Sequence, residues 1–161
     1  MAPGSAAGGD GAVRVAIRFD PDADLIPRTS GGTVGLVARE GRSIVASGLM
    51  AGPFLVDLDG LGDVMGASVL EDRKVWARTS LGLELKARPH TVRIVAAPPL
   101  VRGEVRWDAE RRLVAMVLDP DALDGEAPKG ARTIGLGPRA HALLHGDALV
   151  ALLGDLRGFG R

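Results

Sequence analysis

Turn-forming residues interrupt this chain so often that almost no apolar segment outlasts a short strand. The first ordered-looking run, "VRVAIRF" at 13–19, alternates Val13, Val15, Ile17 and Phe19 with Arg14, Ala16 and Arg18. That period of two marks a strand with one buried face. "DPDAD" at 20–24 then reads as a turn, because Pro21 fixes φ and Asp side chains bond nearby backbone N–H groups. The cadence continues through 33–40, 43–50, 54–58, 64–70, 74–79, 81–87 and 91–97, breaks at Pro98-Pro99, and resumes at 104–107, 112–119 and 133–137. Turn signals at such intervals predict an all-β protein, a sandwich or barrel-like domain. Aromatic residues make up only 3% of the chain, so its core must be aliphatic and its stability modest.

The segment 138–153, "PRAHALLHGDALVALL", allows two readings. Pro138 could open a short helix carrying Leu143, Leu144 and Ala148 on one side. Gly146 supports the rival, a hairpin turning at "HGD".

The chain also echoes itself. "VRVAIRFD" at 13–20 returns as "VRGEVRWD" at 101–108, "TVGL" at 33–36 as "TIGL" at 133–136, and "DLDGLG" at 57–62 as "DLRGFG" at 155–160. The order is kept, so the expected organisation is a flexible tail at 1–12 and two related β-rich halves, 13–70 and 101–161, joined by a β-rich connector at 71–100. Phe19 and Trp107 would then occupy equivalent core positions.

Charge and composition remove several function classes. Twenty basic and twenty acidic side chains cancel, and the surplus of six basic over four acidic residues at 63–100 is slight. Nucleic-acid binders carry a basic surplus and stacking aromatics, so no nucleic-acid partner is expected. No apolar run approaches the roughly 20 residues that span a bilayer, and "MAPGSAAGGDGA" lacks the features of a signal peptide. A cytoplasmic protein without a membrane partner is the expectation. The absence of Cys excludes disulfides, Cys-based zinc sites and thiol nucleophiles.

The residues that could carry chemistry are few. Asp20, Asp22 and Asp24 alternate in one acidic turn, and Asp57, Asp59 and Gly62 match positions 1, 3 and 6 of a calcium loop. That match stops at Leu61 and Ser68, which stand where positions 5 and 12 need oxygen ligands. His141 and His145 are four apart, a spacing used by zinc sites on helices, with no following Glu and no evident third ligand. No Gly-x-Ser-x-Gly turn, P-loop or dinucleotide fingerprint is present. The expected function is therefore a non-catalytic binding or protein-interaction module without a cofactor, acting on a protein or small molecule, with self-association as a further option. The alternative is a metal-binding module, or a metal-assisted enzyme, built on these acidic turns or the paired His.

The first half resembles a family of small, uncharacterised bacterial domains. Their pattern opens with aromatic-Asp-Pro-x-Ala-Asp, matched by Phe19, Asp20, Pro21, Ala23 and Asp24. It closes with an Asp-x-Asp-x-x-Gly turn before a Gly-led strand, matched by Asp57, Asp59, Gly62 and Gly66. Leu25-Ile26-Pro27 replaces the usual aromatic, and Ala67-Ser68-Val69 lacks the usual Glu. The resemblance implies a β-rich domain and supplies no catalytic residues.

Overall fold

The computed structural model describes residues 11–30, 33–38, 45–86 and 88–157. They form thirteen strands: β1 (Val13–Phe19), β2 (Ile26–Ser30), β3 (Thr33–Val37), β4 (Ser47–Ala51), β5 (Phe54–Leu58), β6 (Val64–Val69), β7 (Ala77–Arg78), β8 (His90–Ala96), β9 (Glu104–Asp108), β10 (Leu113–Val117), β11 (Arg132–Gly137), β12 (Ala140–His145) and β13 (Ala148–Asp155). The helical pieces among the described residues are two 3-10 turns, Arg73–Val75 and Pro120–Leu123. None is long and apolar enough to cross a membrane. The chain is all-β, as its turn cadence predicts.

Five strands form one antiparallel sheet in the order β2-β3-β6-β5-β4. β4, β5 and β6 are successive hairpins, and β3 lies beside β6, a Greek-key arrangement. The other eight form a forked sheet around β13. β12 lines one side of it, while on the other side residues 148–149 pair with β1 and 151–155 with β10. One branch continues from β1 to β8, the other from β10 through β9 to β7. The sheets pack face to face without closing into a barrel. Two isolated bridges join them at corners, Ala51 with Val101 and Asp63 with Arg93.

Between the sheets, Leu36, Phe54, Val56 and Val69 meet Val15, Val92, Val114, Met116, Leu149 and Leu152, all buried. The far face of the forked sheet is buried too. Leu113, Ala115, Val117, Leu143 and Leu153 lie beneath Leu81 and Leu123 from the loops that cross it. Strands covered on both sides lose their alternation and read as continuous apolar runs, which is why 138–153 allows two readings. The structure resolves it as the β12–β13 hairpin, not a helix, with Gly146 at φ +62° in the turn.

Three sequence expectations need correction. The echoed segments do not occupy equivalent places: β1 lies between β13 and β8, whereas β9 lies between β10 and β7. Phe19 is 52% exposed rather than a core residue, while Trp107 is half-buried against the core. A short alternating pattern specifies which face of a strand is buried but not which strands flank it. Residues 81–86 form an extended strap instead of a strand, tied to β11 by Lys86 N–H donating to Thr133 Oγ1 and Thr133 Oγ1 donating to the Glu84 carbonyl. The tail expected at 1–12 lies outside the described residues as far as residue 10, and Ala12 is already buried. Residues 158–160 of the last echo also lie outside them.

Candidate functional site

The acidic turns use their carboxylates to shape backbone. Asp20 Oδ1 accepts the Asp22 N–H at 3.0 Å, and its Oδ2 accepts the Thr91 hydroxyl at 2.5 Å, joining the turn to β8. Asp59 Oδ1 accepts the N–H groups of Leu61 and Asp63 at 2.8 and 2.9 Å, an Asx turn that closes the β5–β6 hairpin. Asp63, which no motif singled out, is 5% exposed and accepts from Arg93 Nε at 3.0 Å and Arg18 Nη2 at 3.3 Å. Two guanidinium partners offset its desolvation, and the group clamps one sheet corner. Arg18, Asp24, Asp59, Asp63, His90 and Thr91 line a cleft of about 100 Å³ there. At roughly 30 Å³ per water, that space suits a few waters rather than an organic ligand.

Asp22 is exposed, and Asp57 stands on the outer face of the five-stranded sheet, away from this cleft. Burial pushes the Asp57 carboxyl above the ordinary aspartate range.

His141 and His145 do not share a site. His141 is buried, and its Nδ1 lies 2.8 Å from the Lys86 carbonyl, which requires that nitrogen to carry the proton. Desolvation pulls its pKa below the ordinary value, against the opposing pull of the Lys86 carbonyl and Asp155. His145 is exposed at the hairpin tip, beyond a register shift at Leu143/Leu144. The 81–86 strap lies over His141 and buries it. Among the described residues, no three His, Asp or Glu side chains gather in an arrangement that holds a metal ion.

A larger cleft, about 460 Å³, opens at the tip of the β12–β13 hairpin. Ala12, Ala122, Ala148 and Val150 give it apolar walls, and Arg14 pairs with Asp147 at its side. Asp119 holds the cap position of the Pro120–Leu123 turn, yet its carboxylate makes no capping hydrogen bond. Its own N–H and that of Leu118 instead donate to the Val150 carbonyl, which fixes the turn against β13. Asp119 and His145 are thus the two polar side chains of this cleft that no described residue engages. The Asp-Pro pair at 119–120 was the available sequence signal for Asp119, since it favours a turn start.

No protein-family model matches this chain, and no curated protein or solved structure shows significant similarity to it.

Proposed function

We propose that this protein is a non-catalytic binding module whose ligand occupies the cleft at the β12–β13 hairpin tip. The observation that carries this reading is the cleft itself. Its volume falls within the roughly 300–1,000 Å³ of small-molecule sites, and a few polar groups converge over apolar walls. Arg14 and Asp147 neutralise one another, leaving Asp119 to accept and His145 to donate or accept. Those groups suit a small ligand with an apolar body and an amine or other strong donor. Binding is favoured over catalysis because the lining offers His145 no hydroxyl, thiol or amine to activate.

Benzylamine and its uncharged counterpart benzyl alcohol test the reading by amide-resolved NMR titration. Benzylamine should shift the amide resonances of residues 12–14, 119, 121–122 and 145–150 and bind about tenfold more tightly than the alcohol, a charge-assisted hydrogen bond's share. Asp119→Asn should remove that preference. Shifts confined to other regions, or none at millimolar concentrations of either compound, would overturn it.

A further inference from the structure

The outer face of the five-stranded sheet carries an acidic residue, Asp57 on β5, and a basic one, Arg28 on the edge strand β2. Phe54 and Val56 turn into the core, so Leu55 and Asp57 stand on the opposite face of β5. Strand register sets two rows across that face. One reads Gly48, Asp57, Gly66, Val37, Ile26, and the other Met50, Leu55, Ser68, Gly35, Arg28. Glycines flank Asp57 on both neighbouring strands, and its Oδ2 lies 3.6 Å from where a Cβ on Gly66 would stand. The Leu36 carbonyl oxygen stands closer still to that point, at 2.5 Å, so the sheet surface beside the carboxylate is low and made of backbone. Neither the Asp57 nor the Arg28 side chain has a hydrogen bond or ion pair with a described residue. Six residues further along the chain, Asp63 has two arginine partners.

We infer that this face binds the same face of a second copy about a twofold axis parallel to the strands and between β3 and β6, with Arg28 of each copy on Asp57 of the other. The strand order decides the geometry. Such an axis exchanges β2 with β5 and β3 with β6, which brings the cationic edge strand over the anionic one. In the row of Asp57, Val37 then lies over Gly66 of the second copy. In the other row, the Arg28 stem lies along Leu55 and its guanidinium reaches the carboxylate two residues away on the same face. Small residues, Gly35, Gly66 and Ser68, occupy the centre, where the backbones approach most closely. A twofold axis perpendicular to the strands would instead set Arg28 against Arg28, so charge selects one arrangement. The elevated Asp57 pKa is consistent with a carboxylate awaiting a cation.

The contact is small. The four strands that overlap, at about 4.8 Å spacing and about 17 Å length, cover roughly 330 Å² in projection, below the roughly 800 Å² per partner of stable complexes. A dimer with micromolar or weaker affinity follows, and sedimentation equilibrium across that concentration range measures it.

The wild-type chain should dimerise. Asp57→Arg alone and Arg28→Asp alone should each weaken dimerisation at least tenfold, because each sets like charges against one another. Mixing the two variants should form a heterodimer. The cation introduced by Asp57→Arg then meets the anion introduced by Arg28→Asp, while the native pair survives on the opposite side. Circular dichroism of each variant checks that the sheets remain intact, and the mixture supplies a gain of association that no folding defect mimics. A monomeric wild type, single variants that dimerise normally, or a mixture that stays monomeric would each overturn the inference.

Discussion

Gly137→Ala tests whether the turn after β1 is held against β11 as tightly as the structure shows. A Cβ at Gly137 would stand 2.0 Å from the Leu25 carbonyl oxygen, 2.7 Å from its nitrogen and 2.8 Å from its carbonyl carbon. All three are backbone atoms, so no rotamer relieves the clash, and Leu25 must retreat by more than an ångström or so to restore ordinary contact. That movement breaks the 3.0 Å bond from the Leu25 N–H to the Leu136 carbonyl, at about 0.5–1.5 kcal/mol. It also draws the buried Leu25 side chain partly out of the core, for roughly 1–2 kcal/mol more. The expected loss is about 1.5–3.5 kcal/mol, a large part of a typical 5–15 kcal/mol stability. Urea unfolding followed through Trp76 and Trp107 reads it as a midpoint lowered by about 1 M or more at unchanged slope. Gly146→Ala is the calibration: its space is open, but its φ of +62° costs an L residue about 1–2 kcal/mol. Should Gly137→Ala cost less than Gly146→Ala, the close approach of Leu25 to β11 is wrong.

Three further outcomes are expected. The folded-state pKa of His141 lies below its unfolded value, so the unfolded chain binds the proton more readily. Stability should be full above about pH 6.5 and decline as pH falls below it, and His141→Gln should flatten a plot of Tm against pH in that window. Phe54→Ala should cost about 3–5 kcal/mol in denaturant unfolding because Phe54 is completely buried. Phe19→Ala should cost under about 1 kcal/mol, since that ring is half-exposed and meets Arg88 at 4.8 Å and the His90 ring in a T-shaped contact.

The strands were legible where alternation survives. β3 and β5 bury alternate residues, as β1 does at Val13 and Val15, and Gly, Pro and Asp mark their ends. The 81–86 strap alternates as well, with Leu81, Leu83 and Leu85 packed on the forked sheet. Its backbone meets a threonine hydroxyl instead of a neighbouring strand, and no local pattern distinguishes the two. Pairing was the illegible step. The near-identity of "VRVAIRF" and "VRGEVRW" describes two half-buried strands, and their neighbours lie far off in sequence. The acidic turns were readable as turns, while which N–H groups Asp20 and Asp59 accept depends on the turn geometry. His141 is buried by a strap more than 50 residues earlier in the chain, as its bond to the Lys86 carbonyl records. No spacing rule reaches that far.

The distribution of charge links stability to the two binding proposals. With few aromatics, this fold fastens its loops through charged side chains that meet backbone. Buried Asp108 accepts the Leu81 N–H at 2.8 Å, and Arg111 donates to the Leu81 and Leu83 carbonyls, which secures the strap over the forked sheet. Arg106 donates to the carbonyls of Leu123 and Pro120 and holds the other covering loop. Asp63 with Arg18 and Arg93 holds a corner. A charge used in this way already has its hydrogen bonds, and a ligand would have to displace them at about 1–3 kcal/mol each. Asp119 and His145 face one cleft, and Asp57 and Arg28 share one sheet face, without such bonds. A ligand or a second copy gains their full interaction without undoing anything that holds the fold. Removing Asp119 or Asp57 should therefore alter binding while leaving the urea midpoint almost unchanged, whereas removing Asp63 or Asp108 should lower the midpoint first.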